Sequence, residues 1–257
     1  MAEDPGMIPE LQLGTVEWEG RCLMVAPLPS DPGRVVDLHR VERVRLAKLG
    51  EGHSEILAEA TVPPRIRAVL EAGPRALQRV RQALAYAEKW ERRSGLPEDL
   101  ALPLEGLRFC PCLPEPSAIR RADGRALDRV SVRGPLAALS QLPLPTLAVI
   151  GMHGGRSAGF CLALEEPEGV VLGGWLTFRW PEGHLEISGA GHSRSIPVEA
   201  WEGLSLPLLQ PGEVRLLPPP RLRPIPGLGA GSWVEVKAPF EVLRLQLGGD
   251  ISHPTVQ

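Results

Sequence analysis

Leu208-Leu209-Gln210-Pro211-Gly212-Glu213-Val214, then proline-rich turns, then Pro226-Gly227-Leu228-Gly229-Ala230-Gly231-Ser232-Trp233-Val234-Glu235-Val236, is the stretch on which the fold turns. Pro211-Gly212 marks a turn, and Glu213 to Leu217 behind it has the length of a short strand. The glycines from Gly227 to Gly231 make a loop, and Trp233 to Lys237 follows as a second strand. Phe240 to Leu247 extends the pattern, with Leu243, Leu245 and Leu247 alternating with Arg244 and Gln246 as a half-buried strand requires.

Working outward, Thr146 to Ile150, Val170 to Phe178 and His184 to Ile187 read as further strands, so the chain is β-rich beyond the linker Leu113-Pro114-Glu115-Pro116. Before the linker it is mixed. Leu11 to Trp18 and Cys22 to Val25 are strand-like and separated by Glu19-Gly20, a hairpin signal, and Arg34-Val35-Val36 begins a third run. Asp37 caps a helix carrying Leu38, Val41, Val44 and Leu49. A polar connection follows, and Pro63-Pro64 opens a short helix through Leu70. From Pro74 to about Arg93, Leu77, Val80, Leu84 and Ala87 recur at helical spacing, leaving Arg75, Arg79, Arg81 and Glu88 to face water.

Both ends of this layout resemble the fumarylacetoacetate hydrolase superfamily. The Leu208 and Pro226 blocks look like its closing strands and glycine-rich loop. Leu13-Gly14-Thr15-Val16-Glu17-Trp18-Glu19-Gly20, Gly33-Arg34-Val35-Val36-Asp37-Leu38 and Pro114-Glu115-Pro116 look like its entry. The resemblance covers about two-thirds of the chain and rests on turns and strands, so it speaks for fold before activity. It implies an α+β chain: a small N-terminal α/β cap, residues 1–113, then a β-rich domain built as a mixed β-roll, residues 117–257. Homodimerisation is expected by the same analogy.

The resemblance also implies chemistry. Family members hold a divalent metal, Mg or Mn, through a Glu-x-Glu strand and a later Asp, with a lysine at the substrate. Three hard carboxylates leave open positions for a dicarbonyl acid and its enolate. This chain departs from that set. No aspartate occurs from Arg129 to Gly249 and no lysine from Trp90 to Val236. In Pro143-Leu144-Pro145-Thr146-Leu147-Ala148-Val149-Ile150-Gly151, prolines and Thr146 stand where carboxylates belong, and Leu217-Pro218-Pro219-Pro220 replaces a Thr-Gly-Thr-Pro-like turn. A second alignment keeps Glu166 and Glu168 with Glu199 as metal ligands, against the ordinary reading of an acidic turn.

Two other constellations are candidates. Gly155-Arg156-Ser157-Ala158-Gly159 matches the Gly-x-Ser-x-Gly elbow of serine hydrolases, with Glu182 or Glu186 and His192 or His253 as partners for Ser157. His153, His184 and His192 beside glycine turns could serve acid-base or metal chemistry, although histidines in such places are commonly surface loop.

Composition bounds the rest. A net charge of -3 and a pI near 6.1 argue against nucleic acid, which requires a basic surface. The acidic start Met1-Ala2-Glu3-Asp4-Pro5-Gly6 and the lack of any 18-residue apolar run predict a cytoplasmic protein with no membrane partner. Four cysteines make no disulfide framework and read as small buried hydrophobes. Few amides and 28 prolines suit a thermophile, a bias a GC-rich genome also produces. The functional expectation is a divergent, noncatalytic or weakly active protein, a structural or regulatory partner of a catalytic paralogue in aromatic-acid catabolism. The alternative is an active C-C hydrolase, isomerase, decarboxylase or hydratase on a small 2-oxo or 1,3-dicarbonyl acid.

Overall fold

A computed structural model of the chain describes residues 11–127, 131–135, 144–154, 156–166, 169–201, 208–218, 228 and 230–248. Local signals set its first third. Strands β1 (Gln12–Trp18), β2 (Arg21–Leu28) and β3 (Asp31–Asp37) pair antiparallel. Glu19 and Gly20 take φ of 50° and 71°, the left-handed pair that matches a two-residue turn to strand twist. Asp37 accepts the Arg40 N–H at 3.0 Å and so caps α1 (Leu38–Lys48). Where the sequence reads as a polar connection, the chain forms a further helix, α2 (Ser54–Thr61). Next come α3 (Ile66–Ala72), which starts after the Pro63-Pro64 pair, and α4 (Pro74–Ser94), with Pro74 in its first turn.

Helix α4 buries Ala76, Leu77, Val80, Ala83, Leu84 and Ala87, as its spacing predicts. Glu88 corrects that reading, because it is buried with them. Its Oε2 accepts from the Ser30 N–H (3.2 Å) and hydroxyl (3.0 Å), and Oε1 lies 2.7 Å from Arg92. A buried carboxylate is retained because donors replace the water it loses.

Beyond α4 the regular elements of the described residues are strands, apart from one short 3-10 turn. The chain runs through β4 (Ala101–Pro103), β5 (Arg108–Phe109), β6 (Ala118–Arg120), β7 (Ser131–Arg133), β8 (Leu144–Met152), β9 (Arg156–Glu166), β10 (Gly169–Leu172) and β11 (Trp175–Thr177). It closes with β12 (His184–Gly189), β13 (His192–Pro197), β14 (Glu213–Leu216), β15 (Trp233–Ala238) and β16 (Glu241–Gln246). The single run expected from Val170 to Phe178 is cut at Gly173-Gly174 into β10 and β11.

Twelve strands join one sheet, along β4-β3-β2-β1-β11-β9-β8-β14-β6, with β10 bridging β9 and β7 and β5 paired to β1. Pairing is antiparallel except for β14 with β6 and β10 with β7. Because Gln12, Leu13 and Gly14 register with Thr177, Leu176 and Trp175, strands from either side of the Leu113–Pro116 linker share this sheet. The remaining four form a second sheet, β13-β12-β15-β16.

The alternating faces of β8 bury into two cores. Ala148 and Ile150 join the helices through Leu13, Val36, Leu77 and Val80, whereas Leu147 and Val149 meet the second sheet through Leu185, Val236 and Leu243. The described chain is thus mixed α/β with a sheet-rich body and few helices, and none of those helices is long and apolar enough to cross a membrane.

Candidate functional site

The end of the large sheet where β8 begins, β9 ends and β14 leaves is the region in which the sequence expects, and fails to find, acidic ligands. Thr146 is buried there, and its hydroxyl donates to the Leu217 carbonyl at 2.8 Å. The Leu217 N–H returns to the Leu147 carbonyl at 2.8 Å, so the residue opening the proline turn is bonded to β8 from both sides. Glu165, in register with Leu144, lies 2.6 Å from Arg121 Nε. The Glu165 carboxylate therefore already faces a guanidinium.

The neighbouring turn, Arg121 to Arg125, supplies more cations. Its Asp123-Gly124 signal yields a tight reversal, closed by the Arg121 N–H on the Arg125 carbonyl (2.9 Å) and the Gly124 N–H on the Arg121 carbonyl (2.9 Å). Arg120 reaches Glu213 at 2.9 Å, and Glu213 also accepts the Gln210 N–H at 3.1 Å. Arg125 lies 3.4 Å from Asp123. Glu213, Glu165 and Asp123 are thus each matched to a guanidinium. Among the described residues no group of three His, Cys, Asp or Glu side chains could hold a metal ion. One carboxylate against an arginine does not fit a divalent cation that wants several hard oxygen ligands.

The residues singled out in the sequence are dispersed. His153 sits exposed in the turn between β8 and β9; its N–H donates to the Leu70 carbonyl at 2.9 Å and its Cβ packs over Gly73. Ser157 lies in β9, paired with Gly151 across a hairpin, whereas a nucleophile elbow needs a strand-to-helix turn. His192 opens β13, exposed and opposite Gly189. Glu199 is exposed in a short 3-10 turn, Val198–Trp201, and Glu166 closes β9 opposite Gly169. Glu168 and His253 lie outside the described residues. His184 and Glu186 share the open face of β12, where Glu186 registers with Lys237, and Glu182 pairs with Arg179 at 2.6 Å.

One buried acid escaped the sequence reading. Glu241 opens β16 and presses its carboxyl against Gly173-Gly174, where a Cβ on Gly173 would lie 2.0 Å from Oε2. Oε1 accepts the Gly174 N–H at 2.5 Å, and Oε2 is sealed from solvent with no hydrogen-bond partner. Burial pushes this carboxyl up to about 8, against the lowering pull of the Gly174 and Trp175 N–H groups. Nearby, the buried thiols of Cys112 and Cys161 hydrogen-bond one another, which raises Cys161 well above the ordinary thiol range, assisted by burial. Only the Gly-Gly pair hinted at this seat, since glycines inside a strand run mark close approach of another group.

No family model matches the chain, and no curated protein matches it in sequence. Among solved structures, maleylpyruvate hydrolase from Sphingobium sp. SYK-6 aligns with a TM-score of 0.58 over 92% of this chain and 98% of that one, at 13% identity. Fumarylacetoacetate hydrolase from psychrophilic Exiguobacterium antarcticum aligns with a TM-score of 0.54 over 93% and 100%, also at 13% identity. The chain has the fumarylacetoacetate hydrolase fold. A 2-keto-3-deoxy-D-arabinonate dehydratase complexed with magnesium and 2,5-dioxopentanoate aligns with a TM-score of 0.50 over 92% and 98%, at 11% identity.

Proposed function

We propose that this chain is a noncatalytic or weakly active protein on the fumarylacetoacetate hydrolase fold, serving as a homodimeric structural or regulatory partner to a catalytic paralogue that handles small 2-oxo acids. The observation behind this reading is the neutralised end of β8 and β9. Thr146 is tied to Leu217 and Glu165 to Arg121, so the chain offers no cluster of free carboxylates there among its described residues. Calorimetry with Mn²⁺ and oxalate, an enolate mimic, tests it. The expected result is no metal-dependent uptake of oxalate in the micromolar range.

An active metal enzyme is the second reading, supported by the magnesium complex among the similar structures and by Glu166 at the β9–β10 turn. It requires Mg²⁺- or Mn²⁺-dependent oxalate binding that Glu168→Ala abolishes, and that outcome would displace the first reading. Covalent labelling of Ser157 by a fluorophosphonate would instead favour a serine hydrolase, whose elbow the in-strand position of Ser157 does not resemble.

A further inference from the structure

We infer that the groove where α2 and α3 end against the first half of α4 binds a phosphate group, carried on a small organic molecule or as the free ion. The groove has a volume of about 460 Å³ and is lined by Thr61, Arg75, Gln78, Arg79 and Gln82, with Ala76 among the small side chains beneath them. Arg75 and Arg79 stand one turn apart, so both guanidiniums reach the same stretch of groove.

Their charge is uncompensated among the described residues. The acids on the surrounding helices are each turned to another side chain: Glu55 to the Arg43 guanidinium (3.9 Å), Glu71 to Arg67 (2.9 Å), Glu42 to Arg45 (2.7 Å) and Glu59 to the His39 ring (4.0 Å). Arg79 meets only the neutral Gln82 Oε1, at 3.2 Å, and Arg75 forms no ion pair. Two unmatched guanidiniums in a protein of net charge -3 mark a local demand for negative charge. A tetrahedral dianion answers it best, because its oxygens can take parallel N–H bonds from both forks, whereas a single carboxylate saturates one. The Gln78 and Gln82 amides add neutral donors. The groove is larger than a phosphate ion, which leaves space for an organic body.

Calorimetric titration of the full chain at physiological ionic strength, with phenyl phosphate, inorganic phosphate and benzoate as probes, tests the inference. Saturable binding of phenyl phosphate is expected, weakened about tenfold or more in an Arg75→Gln/Arg79→Gln variant, the loss typical of charge-assisted hydrogen bonds. An Arg92→Gln/Arg93→Gln variant of the same helix should bind as the parent does, and the Arg75→Gln/Arg79→Gln variant should melt at the parent's temperature. Phenyl phosphate binding more tightly than inorganic phosphate identifies a phosphate ester as the ligand; equal binding identifies the free ion. Benzoate binding as well as phenyl phosphate, an equal loss in the Arg92/Arg93 variant, or no saturation with either phosphate overturns the site.

Discussion

The β6–β14 end of the large sheet and the seat of Glu241 both withdraw carboxyl groups from water, and they neutralise them differently. At the first, guanidiniums do it: Arg120 for Glu213 and Arg121 for Glu165. At the second no arginine or lysine among the described residues forms an ion pair, and two backbone N–H groups are too little to hold the charge, so Glu241 keeps its proton. An ion pair between arginine and carboxylate is indifferent to pH across the neutral range, whereas a protonated buried acid makes stability depend on it. The large sheet therefore has a pH-insensitive edge, and its seam with the second sheet is pH-sensitive.

The largest expected effect tests the seam. Glu241 binds its proton more tightly folded, near pH 8, than unfolded, near 4.5. Between those values the folded state holds the extra proton, so stability is fully present below about pH 4.5 and falls as pH rises through 8. The loss over that window is about 5 kcal/mol as an upper figure. Urea unfolding at a series of pH values measures it. Glu241→Gln should flatten the slope; an unchanged slope in that variant would refute the protonated seat. Asp37, whose carboxyl burial also raises, contributes in the same direction, so the informative quantity is the difference between parent and variant.

At the arginine end the effects are smaller. Arg120→Ala leaves Glu213 buried with only the Gln210 N–H, and should cost about 1–2 kcal/mol, moderated because Arg120 is itself 39% exposed. Thermal melts near pH 6 and pH 8 should show the same loss at both, and a loss confined to one pH would erase the contrast between the two regions. Thr146→Val keeps the volume but removes the bond to the Leu217 carbonyl, for about 1 kcal/mol by denaturant titration. The smallest effect belongs to a surface pair: Arg244→Ala, opposite Glu235 on the open face of the second sheet, should change stability by less than about 0.5 kcal/mol.

What the sequence discloses and what it hides follow from the range of each interaction. The Glu19-Gly20 turn, the Asp37 cap and the apolar stripe of α4 are local, and each forms where its residues predict. Glu88 was within reach too, since it lies one turn beyond Leu84 on the buried face; its charge argued wrongly for water. Strand β9 was obscured by the Gly-x-Ser-x-Gly pattern inside it, and α2 by its polar composition. The pairs Arg121–Glu165 and Arg120–Glu213 join residues distant in the chain, so nothing in their own neighbourhoods announces them, and the equally distant seat of Glu241 is hinted at by Gly173-Gly174 alone. The absence of aspartate and lysine says nothing of the arginines that meet Glu165 and Glu213.

The pairing of β1 with β11 also imposes an order of events on synthesis. Gln12 emerges from the ribosome long before its partner Thr177. Until then the edge of β1 that will receive β11 exposes unpaired backbone groups, a template for another chain. Contacts this distant slow folding and lengthen that exposure. A nascent chain stopped before Trp175 should be held by chaperones or aggregate, and release of the segment through Thr177 should mark the point at which that edge of β1 is covered.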